Sequence, residues 1–166
     1  MKKSIYFIAA AALVASCATA DKQGPKNTIN QEEVMSKMTL EDKAHRAIAG
    51  LSMGGFHSLF ISINNPDMFG YVGLFSAAVD QQQSGQGGFP NIYADRNGKL
   101  DQLFSKNPKL FWIGCGKTDF LIKNNNDLRA YLDSKHHKYT YLETDGGHIW
   151  RNWRIYLSEF TPLLFK

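Results

Sequence analysis

The sequence predicts an α/β fold: about four parallel strands with flanking helices. Short apolar runs alternate with longer stretches whose apolar residues recur at helical spacing. Strands that alternate with helices pair in parallel, because parallel neighbours need a crossover of about a dozen residues or more. Glycines and polar turns close most of these runs. The 166 residues, 43% hydrophobic and 20% charged, suit one globular domain and exclude long disorder, collagen and coiled coil.

The first strand is expected over His45 to Gly50, followed by a tight turn and a helix over Met53 to Ile63 that stops at Asn64-Asn65-Pro66. A second strand is expected over Tyr71 to Ala78. Asp80 to Pro90, rich in Gln and Gly, reads as a mobile loop. Leu100 to Phe104 suggests a short helix, Lys109 to Gly114 a third strand and Leu121 to Ser134 a helix with Leu128, Tyr131 and Leu132 on one side. Tyr139 to Glu143 completes the strands, and Trp150 to Phe165 forms a last helix. Its Trp150, Trp153, Leu157, Phe160 and Leu164 are spaced as a core-facing stripe.

Residues 1–20 read as an export signal: Lys2 and Lys3, the apolar run Ile5 to Val14, then small residues. The run is too short to span a bilayer. Val14-Ala15-Ser16-Cys17 is similar to the bacterial lipobox, which predicts a lipid anchor on Cys17, with Ala18-Thr19-Ala20 as a rival, ordinary cleavage site. The expected destination is the periplasm, outer membrane or cell surface. Residues 21–44 form a polar tether and a short helix over Gln31 to Lys43, and residues 45–166 form the folded domain. The net charge of +4 falls to +2 without Lys2 and Lys3 of the signal, too small and too scattered for nucleic acid, and Cys17 and Cys115 make no disulfide framework or zinc site.

Gly50-Leu51-Ser52-Met53-Gly54 is a GxSxG pentapeptide between an expected strand and an expected helix. There a serine sits on a strained turn, and its neighbours must be glycine for the backbones to pass closely. Ser52 at a helix N-terminus is a candidate nucleophile, with the Met53 N–H as the nearest oxyanion donor. A base and an orienting acid must come from other strand ends. Of the five histidines, His57 points away from the turn, His45 opens its strand at the wrong end, and His136 and His137 sit in a polar turn. His148, after Gly146-Gly147, is the candidate base. Asp119, after the third strand, is the candidate acid: Asp145 is too near His148 in sequence and Asp127 lies within a helix. The chain order Ser52, Asp119, His148 is that of the α/β-hydrolases.

Three blocks carry a resemblance: Arg46-Ala47-Ile48-Ala49-Gly50-Leu51-Ser52-Met53-Gly54-Gly55, Phe111-Trp112-Ile113-Gly114-Cys115-Gly116-Lys117-Thr118-Asp119, and Gly146-Gly147-His148-Ile149-Trp150-Arg151-Asn152-Trp153. Through them the stretch from His45 to Lys166 resembles the esterase D and feruloyl esterase type of α/β-hydrolase, a carbohydrate esterase group. The resemblance implies hydrolysis of acyl esters on plant polysaccharides, such as feruloyl or acetyl groups on xylan, with no metal or cofactor. Cys115 reads as a small packed residue. Cys17 to Ala44 is too short for the family's earlier strands, so residues 45–166 read as the C-terminal part of a partial α/β-hydrolase fold. The first strand is then an open edge that invites self-association, and the second oxyanion donor is missing. The alternative is a non-catalytic surface lipoprotein remnant that binds carbohydrate or a partner. Peptide, thioester or acyl-transfer chemistry also fits the pentapeptide.

Overall fold

The computed structural model describes residues 4–7, 40–79 and 94–166. Five parallel strands form one sheet in chain order: β1 Ser4–Phe7, β2 Arg46–Leu51, β3 Tyr71–Phe75, β4 Leu110–Gly116 and β5 Thr140–Thr144. Four of them are the expected strands. The helices are α1 Met53–Asn64, α2 Arg96–Ser105, α3 Ile122–Ser134 and α4 Trp150–Phe160, with short 3₁₀ turns at Leu40–His45 and Thr161–Leu163.

Alternation along the strands decides the layers. Ile48, Val72, Leu74, Phe111 and Ile113 join Leu59 and Ile63 of α1, Leu100 and Leu103 of α2, and Leu128 and Leu132 of α3 in one core. The intervening Ala47, Ala49, Tyr71, Phe75 and Trp112 turn to the opposite face, where Tyr156 and Phe160 of α4 cover them. Both faces of the central strands are therefore buried, which is why they read as continuous apolar runs. Gly73 lets α4 approach closely: a Cβ there would lie 3.0 Å from the Phe160 ring.

The structure departs from the sequence reading at several places, each with a local cause. The open edge expected at β2 is covered, because β1 pairs along it from Ser4↔Arg46 to Phe7↔Ala49 and meets its backbone groups. These residues belong to the segment read as an export signal. The rest of that segment, Cys17, the tether and residues 31–39 of the expected short helix lie outside the described residues, as does the loop Asp80 to Pro90.

β3 ends at Phe75 rather than Ala78, because Ser76 takes φ 45° and donates its N–H to the Gly114 carbonyl at 2.7 Å. α2 begins four residues early, at Arg96, where the Asp95 carboxylate accepts the Gly98 N–H at 3.1 Å as an N-cap. α4 stops at Phe160, since Pro162 has no N–H to continue it. The core stripe of α4 is also shifted. Its buried residues are Asn152, Tyr156 and Phe160, while Trp150 and Leu157 are exposed by 68% and 37%.

Phe160 is 1% exposed and its ring meets those of Phe75 and Trp112 at 5.7 and 6.0 Å. Phe160→Ala is expected to lower the unfolding free energy by about 3–5 kcal/mol through transfer and cavity costs. Leu157→Ala, on the outer face, should cost well under half of that. Urea titrations of both variants followed by circular dichroism check the contrast.

Candidate active site

The turn after β2 is tight. Ser52 sits at φ 53° and ψ −117°, in a region that non-glycine residues seldom occupy. Its N–H donates to the Phe75 carbonyl at 2.8 Å, and its carbonyl accepts the N–H groups of Phe56 and Ala78, both at 3.1 Å. A Cβ on Gly50 would strike the Gly54 carbonyl group, and one on Gly55 would come within 2.6 Å of the Ala77 Cβ. The pentapeptide thus forms the elbow expected of it. Met53 is the first residue of α1, so its N–H has no intrahelical acceptor.

β4 and β5 deliver the other two side chains. The His148 Nε2 lies 2.9 Å from the Ser52 Oγ, and its Nδ1 lies 3.1 and 3.0 Å from the Asp119 Oδ1 and Oδ2. The Asp119 side chain is wholly buried and that of His148 is 17% exposed. A carboxylate only accepts, so Nδ1 carries the proton, which leaves Nε2 as acceptor for the Ser52 hydroxyl. Asp119 also accepts the Leu121 N–H at 2.9 Å.

The two loops are locked together by backbone. The Lys117 N–H donates to the Thr144 carbonyl at 2.9 Å and the Thr118 N–H to the Gly146 carbonyl at 3.1 Å. A Cβ on Gly116 would collide with the Gly146 carbonyl oxygen, and Gly146 itself takes φ 88°. Glycine is needed at both positions for the contact to close.

The remaining candidates lie elsewhere. Asp145 pairs with Lys117 at 3.0 Å across an exposed rim, and that hydrogen bond holds its carboxyl below the usual range. Asp127 pairs with Lys123 on α3, and the His137 Nε2 binds Asp101 at 2.8 Å. Cys115 is buried in β4. Burial, and then the charge of Asp119, push its thiol up to about 12. Among the described residues no cluster of His, Cys, Asp or Glu could hold a metal ion.

Sequence reasoning missed the surroundings of the imidazole. The Phe120 ring, 74% exposed, lies 4.6 Å from that of His148, and Trp153 meets His148 edge-on at 4.9 Å. Trp150, assigned to the core from its spacing, stands at the rim against Trp153 at 5.1 Å. Asn152 is fully buried beside the histidine loop. No sequence pattern singled out Phe120 or Asn152.

The Esterase family model matches residues 32–164. The chain belongs to the Esterase family. It is 29% identical to an acetyl esterase of Caldicellulosiruptor saccharolyticus, over 67% of this chain and 51% of that protein. It is 32% identical to an endo-1,4-beta-xylanase/feruloyl esterase of Xylanibacter ruminicola, over 78% of this chain and 15% of that one. The ferulic acid esterase of Anaeromyces mucronatus shares its fold with a TM-score of 0.62 at 23% identity, covering 81% of this chain and 52% of the other. This Esterase family chain therefore spans about half the length of the acetyl esterase.

The raised thiol makes a prediction. In a Cys17→Ser background at about pH 8, only about 1 in 10⁴ of the Cys115 side chains is thiolate, the reactive form. Cys115 is expected to resist Ellman's reagent in the folded chain and to react in urea. Reaction of the native protein at the rate of a free thiol would contradict this burial.

Proposed function

We propose that this chain carries the site of an exported serine carboxylic-ester hydrolase. The observation that carries the reading is the continuous hydrogen-bonded line from Asp119 through His148 to Ser52, with contacts of 3.0 and 2.9 Å. Ser52 Oγ attacks the ester carbonyl carbon as His148 Nε2 takes its proton, and the charge that develops on the carbonyl oxygen meets the Met53 N–H. The ester C–O bond then breaks while His148 returns the proton to the leaving alcohol. A water molecule, activated by His148, releases the acid and restores Ser52. Asp119 holds the imidazole in the required tautomer and supports its positive charge.

The relatives named for acetyl and feruloyl ester hydrolysis support an acylated plant polysaccharide or oligosaccharide as substrate. The basic start, apolar run and Cys17 support export and a lipid anchor at the periplasm, outer membrane or cell surface. Cleavage of such a leader ahead of Cys17 would remove Ser4–Phe7 and bare the edge of β2, favouring self-association. A site served by the Met53 N–H alone would turn over on the order of 10²- to 10³-fold more slowly than a site with two donors. The exposed Phe120 and Trp150 favour a second reading, a surface protein that binds carbohydrate without turnover.

A fluorophosphonate is expected to add once to the folded chain and not to Ser52→Ala, as read by intact mass. Feruloyl and acetyl esters should be hydrolysed, with kcat falling by about 10⁴-fold or more in Ser52→Ala and His148→Ala. A folded wild type that takes up no probe and cleaves no ester removes this reading in favour of the binding protein.

A further inference from the structure

We propose that Asn152 is a positioning residue that fixes the histidine loop and hence the imidazole of His148. This rests on the serine-hydrolase reading of the site. The Asn152 Nδ2 donates to the Gly147 carbonyl, immediately before His148, at 3.0 Å. A Cβ placed on Gly116 would lie 2.9 Å from the same nitrogen, so the amide sits where the acid loop, the histidine loop and α4 meet. Its own N–H donates to the Ile149 carbonyl at 3.1 Å, which joins the first turn of α4 to the residue after His148. Asn152 thus grips the backbone on both sides of the imidazole.

Stability alone does not account for an asparagine here. The residue is fully buried, yet its Oδ1 has no hydrogen-bond partner among the described residues. A half-satisfied buried amide is worse for folding than an apolar side chain of the same volume. Nor does the Gly147 carbonyl need the amide to avoid being orphaned, since it also accepts the Ile149 N–H at 3.0 Å. What Asn152 adds is a second, side-chain tether on a loop that contains two glycines, one of them at φ 88°. The bonds to Asp119 and Ser52 and the rings of Phe120 and Trp153 hold the imidazole itself, while Asn152 holds the loop backbone immediately before it.

The test compares the wild type with Asn152→Leu, which keeps the branched outline and removes the donor, and Asn152→Ala, which avoids any crowding. Three readings are taken: the thermal melt, the far-downfield proton resonance of the His148 Nδ1–H bonded to Asp119, and the second-order rate of fluorophosphonate labelling. The expected result is that Asn152→Leu or Asn152→Ala still melts as a cooperatively folded protein. With it should come loss of the downfield proton to solvent exchange and labelling slowed about 10- to 100-fold, as for an angstrom-scale misplacement. A residue that served only packing would shift the melt and leave the proton and the rate unchanged, and that outcome overturns the proposal. Failure of both variants to fold also overturns it, by making Asn152 architectural. If the wild type is not labelled at all, the serine-hydrolase reading fails, and the proton resonance alone still decides whether Asn152 holds His148 against Asp119. Absence of that resonance in the wild type counts against the proposal, since there is then no fixed pair to position.

Discussion

The backbone of Ser52 is the constraint on which the site depends. A φ of 53° and ψ of −117° cost a non-glycine residue on the order of 1–3 kcal/mol, so the conformation persists only where its surroundings leave no alternative. β3 supplies that insistence. The register Leu51↔Phe75 brings the end of β3 beside the turn, the Phe75 carbonyl receives the Ser52 N–H, and the chain beyond β3 returns an N–H from Ala78 to the Ser52 carbonyl. The helix that follows can pack so close only because Gly50 and Gly55 present no side chain to Gly54 and Ala77. Strand order, turn and glycines therefore form one requirement.

Asp119 and His148 obey a second requirement that grows from the same sheet. β4 and β5 pair up to Gly116↔Thr144, and the ladder continues past the strand ends through the Lys117 and Thr118 N–H groups. The two loops are thus extensions of a rigid pair rather than independent excursions, which holds Asp119 and His148 within hydrogen-bond distance of each other. Burial sharpens the arrangement. A carboxylate with no solvent contact must find its hydrogen bonds inside the protein, and Asp119 has two donors at hand, the Leu121 N–H and the His148 ring. The buried charge and the imidazole orientation support each other.

Much of this was legible in the sequence because it is written in local patterns. Four strands, the elbow at Ser52 and the glycines before His148 all follow from short runs and their punctuation. What escaped depended on tertiary context. The period of α4 was visible, but not its phase: Trp150 and Trp153 outweigh Asn152 in any hydrophobicity reading, yet the helix turns Asn152, Tyr156 and Phe160 inward. Asn152 could not be picked out because a buried asparagine is defined by the carbonyl it meets, here that of Gly147 in the loop leading into α4, which the loop's fold turns back onto the helix. The early start of α2 needed Asp95 to be recognised as a cap, and the strand at Ser4–Phe7 needed a partner edge that only the assembled sheet provides.

The molecule contains a control for the argument that residue types alone do not make a site. His137 and Asp101 form a second histidine–aspartate pair at 2.8 Å, as close as any contact in the first. Asp101 is held below the usual carboxylate range, first by the His137 hydrogen bond. The imidazole lies flat against Phe104, with centroids 4.2 Å apart and planes 7° from parallel, and the Tyr131 hydroxyl also donates to Asp101. His137 precedes β5, whereas His148 follows it, so the two pairs sit at opposite ends of the sheet. At the entry end the last turn and cap of α3 bring the pair a tyrosine and a lysine, which crowd the carboxylate and tie α2 to the end of α3. At the exit end the sheet presents the Ser52 hydroxyl on its strained turn to the free ring nitrogen. The same two side-chain types thus clamp helices at one end of the strands and meet the Ser52 hydroxyl at the other. The difference is set by the third group, which the parallel topology delivers only where strands end.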